Sequence, residues 1–405
     1  MRVRIEANVL VPGRGEAVAD GVVVMDGPVI SFAGPSSDAP DTSDATVVTA
    51  TTVMPGMWDC HAHLMGATSL DLTRMPLDSV QLRAIRAAAD LRAALDAGIT
   101  SIREVGGIGV HVARAVDEGT VVGPAIYAAG AILSTTGGHG DMHSYPLSWV
   151  HEMDDGRLCD GPDDCARATR EQLRLNAKLI KVCASGGVLS EVDNPIHQQF
   201  TVAELRSIVE VAGMADRVVA AHCHGKPGIM AAIEAGVRTI EHGTYLDDES
   251  AAAMRETGAI LVPTRTIVEE IRESRAAPPY AQVKLDAIAD IHRDAVALAH
   301  EAGVRVAMGT DLALRAGSGA GSWGRNGREL PLLGDCGFTA LEAIETATAS
   351  GPDTLGPQAP RSGQLISGYD ADVITLDVNP LDDLSVFVKT EHITGVWRAG
   401  QRVKG

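Results

Sequence analysis

KLIKVCASGGVLSEVDNPIHQQFTVAELRSIVEVAGMADRVVAAHCHGKPGIMAAIEAGVRTIEHG, residues 178–243, is the stretch that decides the fold. Three short apolar runs, at 178–184, 217–222 and 238–242, are separated by two segments with helical spacing, TVAELRSIVEVAGMA and KPGIMAAIEAG. Short runs alternating with helices at this length read as consecutive βα units of a parallel sheet. Moving outward, the same alternation continues on both sides. Strands are expected at 53–58, 99–105 and 125–133 on one side and at 259–263 and 304–310 on the other. SVQLRAIRAAADLRAALDAG, CARATREQLRLNA and VKLDAIADIHRDAVALAHEAG supply further helices, the last closed by Gly303, a C-terminal cap residue. Eight such units predict an α/β fold with a TIM-type (β/α)8 barrel over 56–360, rather than an open doubly wound sheet. No Rossmann or P-loop glycine pattern follows the first strand, so nucleotide binding is not indicated.

The two ends of the chain read differently. RVRIEANVL, GVVVMDGPVISFAG and TVVTATTVMPG at the start, and DADVITLDV and HITGVWRAGQRV at the finish, are strands punctuated by Gly and Pro. Residues 1–55 and 361–405 are therefore expected to meet in one composite β-sandwich domain. The 405 residues carry 34 Lys and Arg against 53 Asp and Glu, a net charge of −19. That sign argues against nucleic acid or an anionic membrane as the partner. Six dispersed cysteines without a CxxC pair suit a reducing compartment. The alternating N-terminal segment lacks the apolar core of a signal peptide, so a cytoplasmic location is expected. Aromatic residues are few and histidines number thirteen, which directs the search for chemistry to the histidines.

In a barrel of this type the chemistry sits at the C-terminal ends of the strands. The first strand runs into Asp59-Cys60-His61-Ala62-His63, where His61 and His63, two apart, share a face and can chelate one ion. The fifth ends at His222, the sixth at His242 and the eighth at Asp311. A single His or Asp at a strand end is ordinarily structural; five such residues at four strand ends converge on one mouth. Imidazoles with a carboxylate suit zinc or a neighbouring first-row metal. Lys181 lies in the apolar run of the fourth strand. It either snorkels to the rim or, desolvated and neutral, reacts with carbon dioxide to give a carbamate able to bridge two metals.

Taken in order, DCHAHL, IKVCASGGV, AAHCHG, IEHG and MGTD resemble the amidohydrolase superfamily. Within it they resemble the branch of binuclear Xaa-Pro and Xaa-Arg dipeptidases related to imidazolonepropionases, over nearly the whole chain. The resemblance implies two divalent ions, with zinc the expected metal. It places His61, His63 and Asp311 on one, His222 and His242 on the other, and N6-carboxylated Lys181 between them. It further implies amide hydrolysis by a metal-bridging hydroxide, with Asp311 moving its proton to the leaving nitrogen. His139 in STTGGHGDMH resembles the GGHGD motif, where the His reaches the substrate carbonyl or its developing oxyanion.

Other substrate contacts follow from position. His224 stands where dipeptidase relatives often have Tyr, which leaves a proline preference open, and His143 and Tyr145 could line the pocket. After the eighth strand, Trp323-Gly324 replaces the usual His-Gly pair, in a glycine-rich loop that could act as a lid. Trp323 could pack on an apolar group of the substrate, and Arg325 and Arg328 could bind a substrate carboxylate or make salt bridges. Glu241, preceding His242, is expected on the opposite side of its strand. The partner is thus a small amide or peptide. Alternatives are a cyclic amide, carbamate or urea, or a metal-free scaffold of the same family. Homo-oligomers are common for large barrels, but no interface is legible.

Overall fold

The computed structural model describes residues 2–153 and 155–405. The strands in the middle of the chain run parallel in two sheets. One has four strands in the order Leu312–Leu314, Met57–Ala67, Ile99–Glu104, Ala125–Ala128. The other has six, in the order Ile260–Val262, Thr239–His242, Val219–Cys223, Ile180–Cys183, Ile132–Ser134, Gly156–Leu158. Backbone bonds join them on both sides. Lys178 N donates to Ala128 O at 2.8 Å, and Leu261 N and Cys60 N reach Arg305 O and Met308 O at 2.9 and 2.8 Å.

The helices between these strands are held by the local chemistry the sequence shows. Ser79 caps Val80–Asp96 by accepting from Leu82 N, and Thr201 with Glu204 forms a capping box on Val202–Gly213. Gly236 closes Lys226–Ala235 in the left-handed region, at φ 89°. Each helix turns its apolar side onto the strands, as with Leu205, Ile208 and Ala212, which join one core with Ile180, Val182 and Ala221.

Three expected strands differ in the structure. The run 53–58 is divided at Gly56 between Thr46–Pro55 and Met57–Ala67. The run 125–133 is two strands, because Gly130, at φ 76°, breaks it. The first half pairs with Ile99–Glu104 and the second with Ile180–Cys183. The run 304–310 contributes a single bridge, Val306 to Leu261, and the regular strand comes after it, at Leu312–Leu314.

The chain ends do meet. Gln401–Lys404, Ile393–Arg398, Val373–Leu376, Thr46–Pro55, Arg2–Leu10, Val18–Asp26 and Val29–Pro35 form one seven-stranded sheet in that order. Val3, Ile5, Met25, Val53 and Trp397 make its core. At Gly56 the chain passes from this sheet to the parallel one; a Cβ there would lie 2.2 Å from Thr100 Oγ1. All six cysteines are free, and no helix among the described residues is long and apolar enough to cross a membrane.

Candidate active site

The C-terminal ends of the parallel strands open into a cavity of about 210 Å³. His61 and His63 point into it from Met57–Ala67, Lys181 from Ile180–Cys183, and His222 and His224 from Val219–Cys223 and its exit. His242 enters from the end of Thr239–His242 and Asp311 from the residue before Leu312–Leu314. Two groups of three could hold a metal ion. In His61, His63 and Asp311, and again in His222, His224 and His242, the ligand atoms lie within 4.8 Å of one another. Lys181 lines the same cavity, its Nζ 3.4 Å from His61 Nε2.

A histidine ligand needs one nitrogen free and the other held. His61 Nδ1 is 2.7 Å from Glu241 Oε2, and His63 Nδ1 is 2.7 Å from Gly106 O. His224 Nδ1 meets Thr244 Oγ1 and His242 Nδ1 meets Thr264 Oγ1, both at 2.7 Å. In each of these four Nε2 is then the nitrogen left for the site, and those of His61 and His63 meet there only Lys181 and Asp311. His222 is held the other way round, Nε2 lying 3.1 Å from Gly186 O. The donor set thus fits two divalent cations: neutral imidazoles, one carboxylate and a buried amine.

Burial sets the charge states. It pushes the His61 imidazole down to about 4 and His224 to about 3, and His222 and His242 well below the ordinary value. Burial likewise lowers Lys181, which favours the neutral amine. For Asp311 burial acts upward, but His61, His63 and Lys181 more than reverse it and hold the carboxyl below its usual range. Asp311 Oδ1 lies 3.1 Å from His63 Nε2 and 3.6 Å from His61 Nε2.

Glu241 departs from its expected orientation. It is buried on the inside, where it meets His61 and the fully buried Arg103, whose Nη2 is 2.8 Å from both carboxylate oxygens. The reason is the backbone of the next residue: His242 has φ 69°, so the alternation of a regular strand stops there. Residues 241 and 242 then both serve the site.

His139 and His224 line the cavity as the sequence suggests, and His143 joins them. His224 also sits among the metal-competent atoms, a placement that its i, i+2 spacing from His222 would have given by the rule applied to His61 and His63. Four other candidates are directed elsewhere. Arg325 and Arg328 both bind Glu270 Oε1, at 2.7 Å, so their guanidinium groups are already paired. Trp323 is buried with its Nε1 on His63 O at 3.3 Å, a support behind that histidine. Tyr145 gives its hydroxyl proton to Thr73 O. None of the four borders the cavity.

Fold and site together define an α/β protein whose parallel strand ends gather two metal-competent groups about a buried lysine. The chain belongs to the amidohydrolase family, whose model matches residues 52–403. It is 40% identical to the ochratoxinase of Aspergillus niger over 99% of this chain and 86% of that protein. The crystal structure of A. niger ochratoxinase superposes with a TM-score of 0.92, covering 100% of this chain and 96% of that one. A prolidase crystallised with N-methylphosphonate-L-proline is 30% identical, with a TM-score of 0.90 and full coverage of both chains. The imidazolonepropionase of Streptomyces griseus is 26% identical over 95% of this chain and 93% of that protein.

Proposed function

We propose that this protein is a binuclear metal-dependent hydrolase that cleaves the amide bond of a dipeptide or N-acyl amino acid. On this reading the two parallel sheets close into the (β/α)8 barrel of residues 56–360, with 1–55 and 361–405 as the companion β-sandwich domain. The observation that carries the function is the pair of metal-competent groups facing one cavity that Lys181 also lines. Similarity to a prolidase supports a peptide-like amide.

His61, His63 and Asp311 would hold one ion and His222 and His242 the other, with His224 beside them and Lys181, as its carbamate, between. Bound there, divalent ions such as zinc would acidify water and polarise a carbonyl. The chain's own residues do the rest. Asp311, kept ionised, takes the proton of the attacking water and passes it to the leaving nitrogen. Glu241 and Arg103 fix the plane of the His61 ring. Met65, Leu70, Met75, Ile267 and Ile271 form an apolar wall that keeps bulk water from the reaction and suits an apolar flank on the substrate.

The test is metal analysis coupled to a substrate screen. Purified protein is expected to hold two ions per chain and to release amine from members of a dipeptide and N-acyl amino acid library. Stripping with a chelator should abolish this, and zinc or manganese should restore it. Protein that binds no metal and gains no turnover from either ion would overturn the reading.

A further inference from the structure

His139 is clamped on every side but one. Its ring stacks on His222 with centroids 4.3 Å apart, and its other face lies against Gly187, where a Cβ would come within 2.1 Å of Cε1. Its backbone N donates to Gln199 Oε1 at 2.9 Å. Its Nδ1 lies 2.7 Å from Ser190 Oγ. The Nε2 atom has no partner within the protein among the described residues, and the ring borders the cavity.

Ser190 decides what passes along that Nδ1 contact. A serine hydroxyl has one proton to give. Ser190 Oγ donates to Asp193 Oδ1 in a short contact, and its other oxygen neighbour, Gly187 O at 3.4 Å, can also only accept. Asp193 is held in place by Gly187 N at 2.9 Å, Gln199 Nε2 at 3.1 Å and Lys284 Nζ, 3.3 Å from Oδ1. With its proton committed to a carboxylate, Ser190 can meet His139 only as an acceptor. The imidazole must then donate from Nδ1, and in the neutral ring the second nitrogen carries a lone pair.

We propose that Ser190 and Asp193 are positioning residues that lock His139 as the Nδ1–H tautomer, so that Nε2 accepts a hydrogen bond from the substrate. This rests on the hydrolase reading for the word substrate, but the tautomer itself does not. It replaces the oxyanion-donor role expected from the glycine-flanked motif, because a lone pair facing a developing oxyanion would repel it. It also narrows the substrate class to amides that present an N–H or O–H donor beside the scissile carbonyl, secondary amides first among them.

The first test is nitrogen-15 NMR of the metal-loaded protein labelled at histidine, with the His139 signals assigned by their loss in His139→Gln. The wild type is expected to show the proton on Nδ1, and Ser190→Ala to move the ring toward the Nε2–H form. A wild-type proton on Nε2, or a tautomer unchanged in Ser190→Ala, would overturn the proposal. The second test compares a secondary amide with its N-methyl counterpart. The wild type should favour the secondary amide roughly tenfold, the worth of one hydrogen bond, and Ser190→Ala should lose that preference. Equal rates on the two amides in the wild type would overturn the acceptor role and leave the hydrolase reading standing. Inactivity toward both, with metal bound, would count against the hydrolase reading, and the NMR result would still decide the tautomer.

Discussion

Replacing Glu241 by Gln tests the link between the buried charge pair and the metal-competent histidines. Glu241 and Arg103 are both fully buried. The carboxylate uses both oxygens as acceptors: Oε1 takes Thr239 Oγ1 and Arg103 Nη2, while Oε2 takes Arg103 Nη2 and faces His61 Nδ1. Glutamine keeps the shape but turns one of these oxygens into a donor, so at least one N–H or O–H would face another. It also leaves the Arg103 charge without its counter-ion, a loss of about 3–5 kcal/mol when one partner of a buried pair is removed. The second effect is on His61, which loses the group that fixes its ring; such partners are worth roughly 10–100-fold in metal affinity. Urea unfolding of the metal-stripped protein reads the first, and competition with a chromophoric chelator reads the second. Weakening is expected for one of the two ions only, since the His222, His224 and His242 group does not depend on Glu241. An unchanged unfolding midpoint, or equal weakening of both ions, would refute the reasoning.

Lys181→Ala should lose metal and turnover, with partial rescue by short-chain carboxylic acids; a variant with both ions and full turnover removes Lys181 from the bridge. Asp311→Asn should lower kcat by roughly 10²–10⁴-fold where metal is retained, the range for a missing proton carrier, and near-normal turnover would exclude it from that role. His224→Ala should weaken binding of the ion beside it at His222 and His242, measured by chelator competition, whereas His143→Ala should not. Asp90 accepts from Ala316 N at 2.8 Å and so pins the loop after Leu312–Leu314, while its Oδ2 is buried without a partner. Burial pushes its carboxyl up from 3.8 to about 6. At this carboxyl the folded protein then keeps a proton that the unfolded chain gives up, so the contribution of Asp90 to stability is lost as pH rises from 4 to 6 and is level above. At 1.36 kcal/mol per pH unit that window is worth about 3 kcal/mol. Asp90→Asn should remove this step; parallel wild-type and variant stability curves over that window would refute it.

Five of the six residues proposed as ligands are legible in the sequence because they stand near the C-terminal ends of short apolar runs, and position along a strand determines which end of the sheet a side chain reaches. The fourth-strand lysine is legible for the same reason: Leu179 and Ile180 run straight into it in KLIKVCA. The pairing of the chain ends follows from their shared strand-and-turn texture. Partners beyond the strands are a different matter. Whether Arg325 and Arg328 face a substrate or Glu270 depends on where the helix Arg265–Ser274 packs, more than fifty residues away in sequence. The Ser190–Asp193 chain has no signature either, because it is made by a loop folding back onto a glycine turn.

Glu241 shows a subtler limit, which bears on how such sites are built. Strand parity assumes extended backbone, yet His242, Thr264 and Asp311 have φ of 69°, 57° and 60°. Each conformation costs of order 1–3 kcal/mol in a residue other than glycine, and it persists only where neighbours hold it. They do so here: His242 Nδ1 meets Thr264 Oγ1, His292 Nε2 lies 3.0 Å from His242 O, and Asp311 N donates to His61 O at 2.6 Å. The gain is directional. Where the second of two neighbours is left-handed, their side chains need not point to opposite faces, so Glu241 can steady His61 while His242 faces the cavity. Thr310 likewise bonds Asp59 while Asp311 meets His63. A strand end can then supply a metal-competent side chain and the group that positions another from adjacent residues. The strain at these three positions and the failure of the parity rule therefore have one origin, the turn that the backbone makes where it delivers a side chain to the site.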